Sequence, residues 1–417
     1  MRHLRFSGLL LLSAAALYAA EADAIAIENT LRLRHLPYQT VLDPVLGANR
    51  TAVSYTRCGD SATWTGHYLA AEAYRFRVTG SPHALANVRL ALAGLTRLTD
   101  VTGSDLLARC AVPADAPWLA DITSEEAANG VYHATLDGRA WVWIGNTSRD
   151  QYSGAFFGLA TAYDLIPDAG LRAGMAALAT RLLDRLLASA WNVVMPDGTI
   201  STTFLVRPDQ ELALLAIGRE LNPARYGSEY SRLAASLAFT VPAPLLVDST
   251  DDNGSYFKFN LDFINLFSLI RLETSSFNRA AYEFGFSAIR STTDNHLNPH
   301  FNMIDRALHG PNAARDAETR ADLEAWLLRP RLDVFVDWRG KVKACGTDQA
   351  CDPLPVAERP PADFLWQSSP FLLYGGQKGN IESAGIDYLL PYWMARYYGV
   401  IVESGSHPAP RPVPLHR

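Results

Sequence analysis

The sequence predicts an all-α fold: an (α/α)6 toroid of alternating inner and outer helices with long loop insertions. Three observations carry this. Strand periodicity is almost absent, and long Ala/Leu-rich segments alternate with loops rich in Gly, Pro, Asp and Asn. The helical segments are of two kinds that alternate along the chain, as in a helical-hairpin repeat. The first kind occurs six times.

Segments of the first kind open on a polar cluster and continue with small residues and aromatics, over 60–78, 150–165, 209–221, 260–273, 298–308 and 382–398. Two of them carry small residues four apart, Ala62/Gly66/Ala70 and Gly154/Gly158/Ala162. Glycine costs about 1 kcal/mol in a helix interior, so such stripes make sense where helices crowd into an inner ring. Segments of the second kind are amphipathic, over 82–99, 169–190, 223–237, 276–291 and 316–328, and suit an outer ring. The first-kind starts lie furthest apart between Asp60 and Asp150 and between Asn298 and Glu382. Insertions are expected there, over 110–149 and 338–380, both rich in Trp, Pro, Gly and Asp.

Composition narrows the function. Of 417 residues 48% are hydrophobic and 19% charged, with a formal net charge of −6, which excludes wholesale disorder. A mildly acidic chain without basic runs is not an electrostatic nucleic-acid binder. The N-terminus combines Arg2 and Arg5, an apolar run from Leu9 to Ala20, and Ala22-Asp23-Ala24. That is the pattern of a secretory signal peptide over 1–24, cut after Ala24 or alternatively after Ala20. A toroidal domain is expected over 25–403 and a frayed, Pro-containing tail over 404–417. No further segment has the length and hydropathy of a transmembrane anchor. The expected location is secreted or periplasmic.

An even set of four cysteines in an exported chain favours disulfides. Cys345 and Cys351 bracket a short polar loop, and Cys58 and Cys110 pair by elimination. Zinc is the alternative, without a CxxC spacing to support it. GxSxG, GxxxxGK[ST], HExxH and EF-hand patterns are absent, so no cofactor is expected. His296 and His300 are four apart, but Pro299 between them argues for a helix entry, and no metal is expected.

The segments Gly59-Asp-Ser-Ala-Thr-Trp-Thr-Gly-His67, Thr147-Ser-Arg-Asp-Gln-Tyr-Ser-Gly-Ala-Phe-Phe157 and Ile381-Glu-Ser-Ala-Gly-Ile-Asp387 place acids beside aromatics at inner-helix starts. In this the chain resembles the six-hairpin glycosidase superfamily, which includes glycoside hydrolases, uronyl hydrolases and polysaccharide lyases. The resemblance implies an oligo- or polysaccharide substrate held at the N-terminal ends of the inner helices.

Glycosidic hydrolysis needs one protonated and one ionised carboxyl group. Among Asp60, Asp150, Asp209, Glu211, Asp262, Glu382 and Asp387, the expected proton donor is Asp150, with Asp60 or Glu382 as the second carboxylate. Substrate contacts are expected from Arg149, Gln151, Tyr152, Trp64, His67, Arg207, Asp209, Asn260, Asp262, His300, Trp366 and Asn380. The runner-up is a polysaccharide lyase, whose base would be Tyr152 or one of His67, His133, His296 and His300, with Arg149 and Arg207 neutralising a uronate. A non-catalytic glycan-binding protein is the third reading.

Overall fold

The computed structural model describes residues 20–250, 256–361 and 364–402; residues 1–19 of the expected signal peptide and the expected 404–417 tail lie outside them. The molecule is mostly helical. In chain order the helices are α1 (Glu21–Arg34), α2 (Ser61–Thr79), α3 (Pro82–Asp100), α4 (Leu119–Glu125), α5 (Arg149–Leu165), α6 (Ala169–Ala188), α7 (Pro208–Leu221), α8 (Pro223–Leu237), α9 (Pro242–Thr250), α10 (Phe257–Leu272), α11 (Ser276–Thr292), α12 (Pro299–His309), α13 (Ala313–Leu327) and α14 (Ile386–Tyr397). Local chemistry sets several starts. Ser81, Asp168 and Ser275 cap α3, α6 and α11 through their side chains, and Asn298 caps α12 ahead of Pro299.

The two kinds of helix differ in burial as their composition requires. Every residue of α2 from Ser61 to Arg75 is buried, as is every residue of α14. In α8, by contrast, Tyr226, Tyr230, Leu233 and Ala234 form one buried stripe. Each enclosed helix carries a one-sided partner: α3 packs on α2, α6 on α5, α8 on α7, α11 on α10 and α13 on α12. The unforeseen α1 takes that position against α14. Among themselves, α2 packs on α5 and α14, α5 and α10 on α7, and α12 on α10 and α14.

The closest approach is between α2 and α5, where the two small-residue stripes meet. A Cβ on Gly66 would lie 2.0 Å from the carbonyl oxygen of Gly154, and one on Gly158 would lie 2.3 Å from the carbonyl oxygen of Gly66. Backbone faces backbone, with no room for a methyl group.

Strands are more numerous than the sequence led us to expect. They are β1 (Asp43–Leu46), β2 (Ala52–Thr56), β3 (Cys110–Pro113), β4 (Val131–Leu136), β5 (Arg139–Ile144), β6 (Asn192–Val194), β7 (Ile200–Thr203), β8 (Leu332–Asp337), β9 (Ala344–Gly346), β10 (Gln349–Ala350) and β11 (Tyr374–Glu382). They form small antiparallel sheets ordered β2-β1-β11-β8, β3-β5-β4, β6-β7 and β9-β10. Two of these occupy the expected insertions, so the long intervals hold ordered sheet rather than loop alone. Trp141 and Trp143 are buried on β5, and Trp143 stacks on Tyr132.

Cys58–Cys110 and Cys345–Cys351 are both disulfides. No single described helix is long and apolar enough to cross a membrane. At the N-terminal side Glu21 bonds Arg396 and Ala24 is fully buried within α1. A cut after Ala24 would therefore remove the first turn of α1, whereas the alternative after Ala20 would leave it whole.

Candidate functional site

Asp60 closes a short turn (58–60) just before α2, and Asp150 lies in the first turn of α5. Gln151 joins them. Its amide nitrogen donates to Asp60 Oδ1 at 3.1 Å, and its carbonyl accepts the Thr63 N–H at 3.0 Å, so α5 supplies a cap to α2. Arg109 reaches over from the loop before β3. It donates to the Gly59 carbonyl at 2.9 Å and to the Asn146 carbonyl, and stands 3.9 Å from Asp60. The Cys58–Cys110 disulfide ties together the two strips of chain that present Asp60 and Arg109.

The two aspartates sit in different surroundings. The Asp60 side chain is 37% exposed, accepts a hydrogen bond and has a guanidinium beside it. Asp150 is half-buried, and among the described residues no other side chain hydrogen-bonds its carboxyl group. Burial lifts Asp150 above the ordinary carboxylate range, against a hydrogen bond from its own backbone N–H and the pull of Arg109 and Arg149. Carboxyl groups in contrasting environments are how one fold supplies both an acid and a base.

On the other side of Asp150, Arg149 donates to the Thr203 carbonyl of β7 at 2.9 Å. Beyond it Arg207 gathers three carboxylates. It forks onto both oxygens of Asp209 and reaches Asp248 on α9 and Asp262 on α10, each at 2.6 Å. Burial works against the Arg207 charge, but Asp209 and Asp262 outweigh it and raise its pKa. Burial also pushes Asp262 well above the carboxylate range, and its Oδ2 is buried without a partner.

A third group lies deeper. The Nδ1 of His67 contacts the Thr63 carbonyl at 2.8 Å, which places the ring proton there and leaves Nε2 to accept from the Asn260 amide at 3.3 Å. Asn260 also donates to Gln367 and keeps a buried, unpartnered Oδ1. Burial lowers His67 to about 4, so the ring is neutral. His300, 6.0 Å from it between ring centres, is fully buried with both nitrogens unpartnered, and burial takes its pKa well below the usual value. Trp64 stacks on Phe364 at 4.4 Å.

Other expected site residues are not gathered here. Glu382 ends β11 instead of opening a helix, because α14 starts four residues later behind Gly385, whose φ is 77°. Glu382 bonds Arg34 at 3.2 Å and His35 at 3.3 Å. Burial alone would raise its pKa, but His35 and the charges of Arg331 and Arg34 hold it below the usual range. Those contacts make it part of an ion-pair network with α1. Asn380 lies on the same strand. Tyr152 is fully buried, accepts the Leu107 N–H, and is pushed by burial up to about 12. Trp366 is fully buried as well, its indole N–H donating to the Asp387 carbonyl. His133 is exposed on β4, and His296 bonds Tyr256 and is lowered by burial to about 4. Among the described residues no three His, Cys, Asp or Glu side chains are placed to hold a metal ion.

Sequence reasoning missed Arg109, Asp248, Phe364 and Gln367. Arg109 had one local signal, its position beside Cys110; the others arrive from distant segments and had none. Compared with known protein families and with curated proteins, the chain matches none.

Proposed function

We propose that this is an exported glycoside hydrolase built as an (α/α)6 toroid, with Asp150 as proton donor and Asp60 as the ionised partner. The toroid is supported by the succession of packed neighbours α2, α5, α7, α10, α12, α14 and back to α2, each backed by an outer helix. Export is supported by the two disulfides and by the signal-like N-terminus, with the cut placed after Ala20 so that α1 stays whole.

The observation that carries the catalytic reading is the contrast between the two aspartates. Burial, with no other side chain bonded to its carboxyl group, keeps Asp150 protonated further up the pH scale, as a general acid requires. Asp60, by contrast, accepts a hydrogen bond from Gln151 and lies 3.9 Å from the Arg109 guanidinium, a setting that suits the second carboxyl group. As the glycosidic C–O bond breaks, the Asp150 proton passes to the leaving oxygen. Asp60 then either takes a proton from the attacking water or attacks the anomeric carbon itself, according to the carboxyl separation in the complex. The lyase alternative has less to work with, since the Tyr152 hydroxyl is sealed in the core and His67, His296 and His300 are weak bases.

The test is a panel of neutral and uronic polysaccharides, followed by reducing-end release and near-ultraviolet absorbance together. Hydrolysis predicts reducing ends without absorbance. On the substrate so found, Asp150→Asn should lower turnover by about 10²–10⁴-fold with folding intact. Near-wild-type turnover would remove Asp150 from the mechanism, and an absorbing product would replace hydrolysis with elimination.

A further inference from the structure

A polar cavity of about 510 Å³ opens between α11, α12 and α13, beside the turn that joins the last two. None of its lining residues belongs to the groups around Asp60, Arg207 or His67. It lies at the end of α12 remote from His300: His309 lines it, roughly 14 Å further along the helix.

Three guanidinium groups line this space, Arg290 from α11, Arg306 from α12 and Arg315 from α13. Arg306 donates to Asp316 at 2.8 Å and to the Tyr398 carbonyl at 3.1 Å. Arg315 bonds Asp294 and stands 3.2 Å from Asp305. Arg290 is only 7% exposed, donates to Asn302 at 2.6 Å, and keeps a buried Nε without a hydrogen-bond partner. A guanidinium carries five N–H groups in a rigid fork, so these anchors orient each one without saturating it. Among the described residues, Nη1 of Arg290, Nε of Arg306 and Nη1 of Arg315 make no hydrogen bond.

The carboxylates are outnumbered at one point. Arg290 at 3.5 Å and Arg315 at 3.2 Å meet at the same oxygen, Asp305 Oδ2, while His309 takes Oδ1 at 2.7 Å. Bonds to Asp305 and Glu283 raise His309 to about 9, so it too is a cation at neutral pH. Four cations line the cavity against Asp294, Asp305 and Asp316; Glu283 and Glu318, which bond His309 and Asn302, are not in the lining.

We propose that this cavity binds a small organic anion, a molecule bearing a carboxylate or phosphate group, whose oxygens take the free N–H groups of Arg290 and Arg315. The guanidinium fork matches the paired oxygens of either group. The volume falls within the range of small-molecule sites, about 300–1,000 Å³, and exceeds what a bare ion fills. The proposal is independent of the hydrolase reading.

The experiment titrates the full mature protein with inorganic phosphate, citrate and glucuronate at constant ionic strength, with glucose as the uncharged control. Calorimetry gives the affinity, and the thermal midpoint should rise because the ligand binds only the folded chain. At least one anion should bind at a single site while glucose at equal concentration does not. Preference for phosphate assigns a phosphate ester, and preference for citrate or glucuronate assigns a carboxylate. Arg315→Gln, at the cavity rim, should weaken binding about 10–100-fold and leave any polysaccharide cleavage unchanged. Should that variant not fold, Arg306→Lys, which keeps the charge and loses the fork, should weaken binding as well. Silence from all three anions at millimolar concentration would overturn the proposal. So would affinity unchanged in the folded variant, or glucuronate binding that Asp150→Asn alters and the arginine variant does not.

Discussion

Gly66→Ala places a methyl group where α2 and α5 touch. Its Cβ would stand 2.0 Å from the Gly154 carbonyl oxygen, 2.4 Å from that carbonyl carbon and 2.8 Å from the Ala155 nitrogen. Ordinary contact begins at 3.4 Å, so the pair must part by 1.4 Å (3.4 − 2.0) along that line. No rotamer change can relieve this, because the opposing atoms are backbone. Overpacking of a close-packed core costs about 1–3 kcal/mol or more, and this site belongs at the upper end. Alanine returns about 1 kcal/mol through helix propensity, leaving a net loss of about 2 kcal/mol. Gly218→Ala is the control. Its nearest neighbour is the Leu183 Cδ2 at 2.4 Å, the tip of a side chain that can turn away, so relief and propensity should nearly cancel. The assay is the denaturant midpoint of each variant at unchanged slope. Parting α2 from α5 also pulls Gln151 from Asp60 and Thr63, so Gly66→Ala should lose activity beyond its loss of stability. Equal midpoints for the two variants would refute the close approach.

Two further predictions concern adjoining pH windows. Glu72 is buried beside Glu28, Arg75 and Asn87, and burial raises its pKa from 4.5 to about 7. The folded state therefore holds its proton more tightly than the unfolded chain, and the stability this gives, about 3 kcal/mol, is lost as pH rises from 4.5 through 7. Glu72→Gln should flatten the dependence of melting temperature on pH across that window; an unchanged slope would place the cause elsewhere. His309 on α12 bonds Asp305 at 2.7 Å and Glu283 of α11 at 2.9 Å, and these bonds raise it from 6.5 to about 9. Its contribution is fully present below 6.5 and is lost as pH rises through 9. Because the pair of carboxylates is partly exposed, screening holds the effect to about 1 kcal/mol or less. His309→Gln should lower stability at pH 6 and leave it unchanged at pH 10, measured by thermal unfolding at both.

The helices were legible because their signals are local. Alternating composition separated enclosed from one-sided helices, and the Ala62/Gly66/Ala70 and Gly154/Gly158/Ala162 stripes pointed to the crowded crossing that α2 and α5 make. The strands were not legible. Each is short, and β11 carries Gly375, Gly376 and Gly379, which resemble a tight loop; Gly376 is needed because a Cβ there would strike the Val334 carbonyl oxygen at 2.2 Å. The α1 helix was hidden by its place beside the apolar N-terminal run read as a signal peptide. In the site, Asp60, Asp150 and Gln151 were readable as helix-start residues, and Gln151 reaches Asp60. Glu382 was misassigned because nearness to α14 in sequence was taken for its first turn. Arg109, Asp248 and Phe364 act through tertiary proximity, which periodicity does not encode.

The Cys58–Cys110 bond has a consequence for when the Asp60 corner is complete. It closes a separation of 52 residues, and cross-linking a loop of that size restricts the unfolded chain by about 4 kcal/mol in the chain-entropy account. Its two ends are Cys58, two residues before Asp60, and Cys110, next to Arg109. With the two thiols reduced, Asp60 and Arg109 would stand on untethered loops, and their contact would be fixed only after oxidation. Formation of the bond and completion of this corner of the molecule are thereby one event, set by the redox state around the chain.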